Sequence, residues 1–158
     1  MSLTRVEELL KEIDDTISNI QKFNPSALER DYLAKFLAVF ISGTYEVCIK
    51  DMITQKICST CSQEAILLVE NYLYEHFRNP TIVNIGELLS KFNSKWNDDF
   101  NNPHIIHNIL KSGVDLIVEN KNHFAHGQPF NATLYDITEA HKKGKEVIIK
   151  LREIILND

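Results

Sequence analysis

Apolar residues recur at intervals of three and four along almost the whole chain, which is the period of an amphipathic α-helix. The first such segment has an apolar stripe made of Leu3, Val6, Leu10, Ile13, Ile17 and Ile20. Thr4 and Glu7 have the spacing of a capping box at its start, so the pattern predicts a helix over about residues 4–22. The stripe is too short for a coiled coil, which needs at least three heptads, and we expect it to pack on the rest of the domain.

A second capping box, Ser26 to Glu29, begins a long helix that we expect to run to about Cys58. Its centre, YLAKFLAVFISGTYEVCIKDMI, is apolar on nearly all sides, which predicts the most buried element of a helical bundle. Gly43 lies inside this helix, where glycine costs about 1 kcal/mol relative to alanine. This glycine therefore indicates the close approach of another helix.

Ser62 starts a third helix, which ends at Asn79-Pro80 because the residue before a proline disfavours helical geometry. A short helical piece follows in NIGELLSKF. The next segment, NSKWNDDFNNP, is polar and aromatic and predicts turns around Trp96 and Phe100.

A fourth long helix is predicted from Pro103 onward. Its core-facing residues are expected to be Ile105, Ile109, Val114 or Leu116, and Ile117. After a break at Gly127, Thr133 and Asp136 start the last helix, which continues through Gly144 to the C-terminus. Because no strand-like alternation appears, the fold class is predicted to be all-α, an up-and-down bundle of four or five helices. We expect one domain over residues 1–158, with the first helix as a peripheral addition.

Composition places the chain among ordinary globular proteins, since 44% of its 158 residues are apolar and 25% are charged. The net charge of −5 excludes nucleic-acid binding by bulk electrostatics, so any RNA contact must be local. The longest apolar run, Phe36 to Ile41, is far short of the roughly 20 residues of a membrane span. The charged, amphipathic N-terminus does not resemble a signal peptide. We therefore expect a cytoplasmic protein that does not contact a membrane.

Two pairs of residues have metal-ligand spacing but lack partners. Cys58 and Cys61 form C-x-x-C without a second ligand pair, and His104 and His107 have no matching carboxylate or thiol. The odd count of three cysteines fits a reducing compartment rather than a disulfide framework. We expect no metal and no cofactor.

The stretch LIVENKNHFAHGQPF, residues 116–130, places a polar group at a predicted helix end. Asn122 precedes His126 by four positions and shares its face, and Lys121 can reach the same place because the helix ends there. Histidine can act as a general acid or base near neutral pH, and lysine can neutralise charge on a phosphoryl oxygen, which together suit phosphodiester cleavage. A simpler interpretation is helix capping, because Lys and His complement the C-terminal dipole and Gly127 suits a C′ position.

The segment ENKNHFAHG resembles the signature of the HEPN superfamily, in which an Arg and a polar residue precede a His by four to six positions. Asn122, Ala125, His126 and Gly127 match this pattern, and Lys121 stands where the Arg belongs. The segment LAKFLAVFISGTYEVCIKDMI, with its Gly and Glu, is similar to the early helix of the RiboL-PSP-HEPN group. FNSKWNDDF and LYDITEAHKKGKEVI also look like that group.

This resemblance implies a homodimeric helical bundle that acts as a metal-independent endoribonuclease of a toxin or defence system. His126 would be the general acid or base, Lys121 would stabilise the transition state, and Asn122 would orient the substrate or the histidine. The implied partners are an RNA substrate and an antitoxin or nucleotidyltransferase-type protein.

The resemblance leaves a second function open, because some members of the superfamily are non-catalytic. Lysine lacks the planar fork that arginine presents to a phosphate, so Lys121 could mark a silenced dimerisation or interaction module. Two accessory candidates also have simpler interpretations. Glu46 would pair with Lys121 or His126, or be a solvated helix charge, and His123 would add charge beside His126, or face solvent.

Overall fold

Helices account for all the regular secondary structure in residues 4–157, which the computed structural model describes. Leu3, at the start of the first predicted stripe, lies outside these residues. The helices are α1 (Arg5–Phe23), α2 (Ala27–Cys58), α3 (Gln63–His76), α4 (Ile82–Phe92), α5 (Ser94–Asn101), α6 (Asn108–Ala125) and α7 (Leu134–Leu156). The all-α prediction is confirmed, with seven helices in the described residues instead of four or five.

Local capping explains why the longest helices begin where the sequence predicts. In α1 the Thr4 side chain accepts from the Glu7 amide, and the Glu7 carboxylate accepts from the Thr4 amide at 2.8 Å. The capping boxes at the start of α2 and α7 have the same reciprocal geometry. Such a cap contributes about 1 kcal/mol, because it satisfies amides that have no partner within the helix.

The core lies around α2, which contacts α1, α3, α6 and α7. The buried stripe of α1 (Val6, Leu10, Ile13, Ile17) packs into the same cluster of apolar side chains, as expected. By length and composition alone, α2 is the one described helix that could span a membrane. That indication is weak because a core helix passes the same test, and half of the most apolar window of α2 is buried in the bundle.

One face of α2, the helix predicted to be the most buried element, is apolar but exposed. Val39, Gly43 and Val47 are exposed there, and no atom comes within 4 Å of the position that a Cβ at Gly43 would take. No helix of the described chain therefore approaches Gly43. The close approaches occur on α6 and α7, where a Cβ at Gly113 would lie 2.5 Å from the Ala140 carbonyl oxygen.

Two predictions fail between α4 and α6. The predicted turns around Trp96 and Phe100 are the helix α5, because these two aromatic residues, four apart, are buried on the same side. Pro103 does not start α6, since a turn held by the Asn102 side chain and carbonyl separates it from the first helical residue, Asn108.

The late start of α6 also explains an error in its predicted inner face. Ile109 is 66% exposed in the first turn, and Ile106, just before the helix, is fully buried in its place. Beyond that turn the predicted inner face is correct, because Val114 and Ile117 are buried.

Candidate active site at the end of helix α6

The polar stretch singled out in the sequence forms the C-terminus of α6. Gly127 has a left-handed φ of +66°, its amide donates to the Phe124 carbonyl at 3.2 Å, and the Gln128 amide donates to the His123 carbonyl at 2.8 Å. These two bonds make a Schellman motif, which satisfies carbonyls that the helix leaves free. Gly127 therefore has the capping role that the simpler interpretation gave it.

Lys121 and Asn122 meet at this helix end, together with a residue from the loop between α3 and α4. The Lys121 ammonium donates to Asn122 Oδ1 at 3.2 Å and also to Asn79 Oδ1. The amide oxygen of Asn122 is thus occupied by Lys121 and not by His126. Since ammonium nitrogen has three donors, at least one N–H of Lys121 remains for a substrate oxygen.

The loop that contributes Asn79 is itself held in place. Asn79 has a φ of +54°, and its carbonyl accepts from Asn84 Nδ2 at 2.8 Å. The Asp115 carboxylate, one and a half turns before Lys121 on α6, accepts from the Ile82 amide at 2.8 Å. The end of α6 and the start of α4 are therefore joined at two places, which limits the movement of the Lys121 side chain.

His126 is the exposed cap residue of α6, and its backbone amide donates to the Asn122 carbonyl at 3.0 Å. Within residues 4–157 its imidazole makes no hydrogen bond or ion pair, so both ring nitrogens are open to solvent. A solvent-facing imidazole has the access that a general acid or base requires.

The two accessory candidates are engaged elsewhere. Glu46 forms an ion pair with Lys50 at 2.7 Å, one turn further along α2. His123 Nε2 lies 4.0 Å from the Glu119 carboxylate, a distance too long for a hydrogen bond. Neither residue contacts Lys121 or His126.

A second cation lies beside the helix end. Lys35 Nζ is paired with Asp31 at 2.6 Å and lies 6.0 Å from the centre of the Phe124 ring and 5.6 Å from that of Tyr32. The N-terminal half of α2 therefore borders the C-terminus of α6. Asn79 and Lys35 were not predicted from the sequence, because they are distant in the chain from the motif that they adjoin.

A buried histidine also escaped the sequence analysis. His141 on α7 is 2% exposed, its Nε2 lies 3.0 Å from Asp14 Oδ1, and its Nδ1 lies 2.9 Å from Tyr45 Oη. Lys145 contacts the other Asp14 oxygen at 2.5 Å. Burial lowers the pKa of His141, and the Asp14 carboxylate offsets only part of that effect. The neutral imidazole joins α1, α2 and α7 and takes no part in the candidate site.

No three His, Cys, Asp or Glu side chains within residues 4–157 are grouped so that they could hold a metal ion. Cys58 and Cys61 are exposed free thiols, and Cys48 is a buried one whose pKa burial raises to about 12. His104 and His107 are both exposed in and after the turn that precedes α6.

The fold and the helix-end motif together define an all-α protein with half-buried Lys121 and Asn122 and an exposed His126 at one helix end. A family model described as RiboL-PSP-HEPN matches residues 4–157, nearly the whole chain. The protein therefore belongs to the RiboL-PSP-HEPN family, and the resemblance found in the sequence is confirmed. Neither the comparison with curated proteins nor that with solved structures found a match.

Proposed function

We propose that the protein is a metal-independent endoribonuclease of a toxin or defence system that acts as a homodimer in the cytoplasm. The observation that supports this most is the exposed imidazole of His126, on the same helix end as the Lys121 ammonium that Asn79 holds. A proton carrier and a fixed positive charge are the two groups that phosphodiester cleavage needs.

In the proposed reaction His126 accepts the proton of a ribose 2′-OH, and the 2′ oxygen attacks the adjacent phosphorus. The bond from phosphorus to the 5′ oxygen breaks, and that oxygen takes a proton from water, while His126 returns the proton that it accepted to the solvent. The products are a 2′,3′-cyclic phosphate and a 5′-OH. Lys121 stabilises the additional negative charge on the phosphoryl oxygens, and Asn122 positions Lys121 through their shared hydrogen bond.

The homodimer is supported by the exposed face of α2. This face consists of Gly43 and five exposed apolar side chains, which are Leu28, Tyr32, Phe36, Val39 and Val47. Its charged neighbours are already neutralised within the chain, as Asp31 with Lys35 and Glu46 with Lys50. A second copy therefore meets the face without like-charge repulsion, although each chain carries a net charge of −5.

Gly43 adds a geometric argument for the second copy. Glycine inside a helix costs about 1 kcal/mol relative to alanine, and no contact of the described chain requires it at this position. A missing Cβ lets two α2 helices cross closely. Lys35 on α2 lies near Phe124 at the C-terminus of α6. A dimer through the α2 face would therefore put the C-termini of α6 from both copies at the borders of one interface.

The oligomeric state can be tested by light scattering on Val47→Arg, which places an unpaired charge in the apolar face. Val83→Arg is the matched control, because Val83 is an exposed valine on α4, which packs on α5 and α6. We expect wild type and Val83→Arg to be dimers and Val47→Arg to be a monomer. A dimeric Val47→Arg would contradict the α2 face as the interface, and a wild-type monomer would contradict the dimer.

The activity can be tested by incubating a broad RNA pool with purified protein in excess EDTA. We expect wild type to cut and His126→Ala to lose all cleavage with its fold intact. His104→Ala is the control, because His104 is an exposed histidine in the turn before α6. Cleavage by His126→Ala at the wild-type rate would refute the proposed role of this residue.

A non-catalytic dimerisation or interaction module is the second candidate, and the bonds of Lys121 favour it. Its ammonium already binds two amide oxygens, and lysine cannot replace the bidentate contact of arginine with phosphate. If the protein is a ribonuclease, Lys121→Arg should cut faster than wild type. If neither wild type nor Lys121→Arg cuts RNA, the interaction module becomes the better account, with an antitoxin or nucleotidyltransferase-type protein as its partner.

A further inference from the structure

A small polar cavity lies between the end of α3 and α4, beside the loop that contributes Asn79. Its volume is about 130 Å³, and the side chains that line it include His76, Arg78, Asn84, Glu87 and Lys91. Two cations and a histidine thus face a single carboxylate. This local excess of positive charge is notable in a chain whose net charge is −5.

Arg78 and Lys91 lack the ion pairs that other cations of the chain make. Within residues 4–157 no carboxylate lies within 4.0 Å of either group, whereas Lys35, Lys50 and Lys145 each have a carboxylate within 2.7 Å. Lys91 Nζ lies 5.9 Å from the centre of the Tyr72 ring. Two unpaired cations beside one polar cavity supply the positive charge that binding of an anion requires.

The size of the cavity restricts that anion. A single water needs a cavity of roughly 10–15 Å³, and drug-sized ligands occupy pockets of roughly 300–1,000 Å³. A cavity of about 130 Å³ therefore accommodates a group of a few atoms, such as a phosphate, but not a whole nucleotide.

A second, mainly apolar cavity of about 420 Å³ adjoins the first. It is lined by Leu68, Val69 and Phe92 and shares Tyr72 and Lys91 with the polar cavity. Its volume falls within the range for small organic ligands. Aromatic and aliphatic side chains beside a phosphate-binding group are the elements that bind one nucleotide of a single strand, with the base on the apolar side.

The polar cavity is connected to the end of α6 through two asparagines. Asn79 follows Arg78 directly and accepts the hydrogen bond of Lys121. Asn84, which lines the cavity, donates to the Asn79 carbonyl at 2.8 Å. One short loop thus contributes both a cavity cation and the residue that holds Lys121.

We propose that these two adjoining cavities bind one nucleotide of a single-stranded RNA, with its phosphate between Arg78 and Lys91 and its base against Leu68. The assignment to RNA rests on the proposed ribonuclease function. The same chemistry would also bind a free mononucleotide, and the experiment distinguishes the two sources.

The test measures binding of a fluorescent, fully 2′-O-methylated RNA oligonucleotide, which cannot be cut through a 2′-OH. The cavity variant carries both Arg78→Gln and Lys91→Gln. The control carries both Lys22→Gln, on α1, and Lys150→Gln, on α7. For a single strand, the slope of log affinity against log salt becomes shallower by about 0.7 for each phosphate contact that is lost, so we expect the cavity variant, which loses its contact with one phosphate, to lose about 0.7. The control should keep the wild-type slope.

Leu68→Glu tests the base-binding cavity, with Leu67→Glu as its control. Both leucines are exposed on α3, but only Leu68 lines the cavity. We expect Leu68→Glu to weaken RNA binding about tenfold, the order of the free energy of burying one apolar side chain, and Leu67→Glu to bind like wild type. The proposal would be overturned if the cavity variant and Leu68→Glu had the same RNA affinity and the same salt slope as wild type and the controls.

Uridine and adenosine 5′-monophosphate serve as the free-nucleotide probes. Weak competition by both supports an RNA subsite, whereas binding as tight as that of the oligonucleotide overturns the RNA assignment.

Cleavage is measured separately on unmodified RNA. If wild type binds but does not cut, the ribonuclease proposal fails and the subsite stands. If wild type cuts and the cavity variant keeps its KM, only the subsite fails.

Discussion

Replacing Gly113 by alanine should destabilise the protein, although alanine is the better helix former. The gain in helix propensity is about 1 kcal/mol. Against it, the new Cβ would lie 2.5 Å from the Ala140 carbonyl oxygen and 2.7 Å from Lys143 Cβ, whereas ordinary contacts begin near 3.4 Å. Helix α7 would have to recede by roughly 0.9 Å, the difference between 3.4 Å and 2.5 Å.

The net effect follows from these opposing terms. Overpacking costs about 1–3 kcal/mol, and the upper end applies because a backbone carbonyl cannot rotate away, which leaves a net loss of about 2 kcal/mol. For a chain of this length, such a loss corresponds to a fall in Tm of roughly 4–8 °C.

The control for this prediction is Gly86→Ala, at another buried helical glycine. Its Cβ would meet the ends of two side chains, Asn97 Oδ1 at 3.1 Å and Asn101 Nδ2 at 3.9 Å, and side-chain ends can shift. We expect thermal unfolding followed by circular dichroism to show a lower Tm for Gly113→Ala and an unchanged or higher Tm for Gly86→Ala. A Tm of Gly113→Ala at or above that of Gly86→Ala would refute the argument from close α6–α7 packing.

Three further predictions concern a buried histidine, a cap and the candidate site. Burial holds the pKa of His141 below its unfolded value near 6.5, so the unfolded chain binds an extra proton as the pH falls below about 6.5. In denaturant titrations, the free energy of unfolding should therefore fall by up to about 1.4 kcal/mol for each unit by which the pH is lowered, and His141→Asn should remove this pH dependence. The same pH dependence in wild type and His141→Asn would contradict the lowered pKa of His141. Gly127→Ala should cost about 1–2 kcal/mol in the same titrations because φ is +66°, and an unchanged stability would speak against the left-handed cap. Asn79→Ala should lower kcat for RNA by freeing the Lys121 ammonium, and a wild-type kcat would show that Asn79 does not position it.

Features set by neighbouring residues could be predicted from the sequence. The capping boxes at Thr4, Ser26 and Thr133 act over three residues, so their side chains alone identify the helix starts. The Schellman cap at Gly127 is local in the same way.

The errors come from contacts that the sequence pattern does not contain. The start of α6 moves from Pro103 to Asn108 because Asn102 stabilises a turn, and α5 forms because Trp96 and Phe100 are buried against the bundle. Gly43 was expected to face another helix, and no helix of the described residues approaches it. A glycine indicates that space is needed without indicating which molecule fills it.

The candidate site was found only in part for the same reason. Lys121, Asn122 and His126 lie within six residues, so their spacing on one helix identified them. Asn79 is 42 positions from Lys121, and the bond between them depends on how the α3–α4 loop folds onto α6. Their roles in catalysis, and those of the accessory candidates, stay predictions.

The most direct test of the ribonuclease proposal uses one RNA oligonucleotide that wild type cuts at a mapped position, compared with the same oligonucleotide carrying a 2′-deoxyribose there. If His126 activates the ribose 2′-OH, the RNA is cut to a 2′,3′-cyclic phosphate and the substituted oligonucleotide is not cut at that position. Cleavage of both at equal rates, or no cleavage of any RNA by wild type or Lys121→Arg, would contradict the proposed reaction.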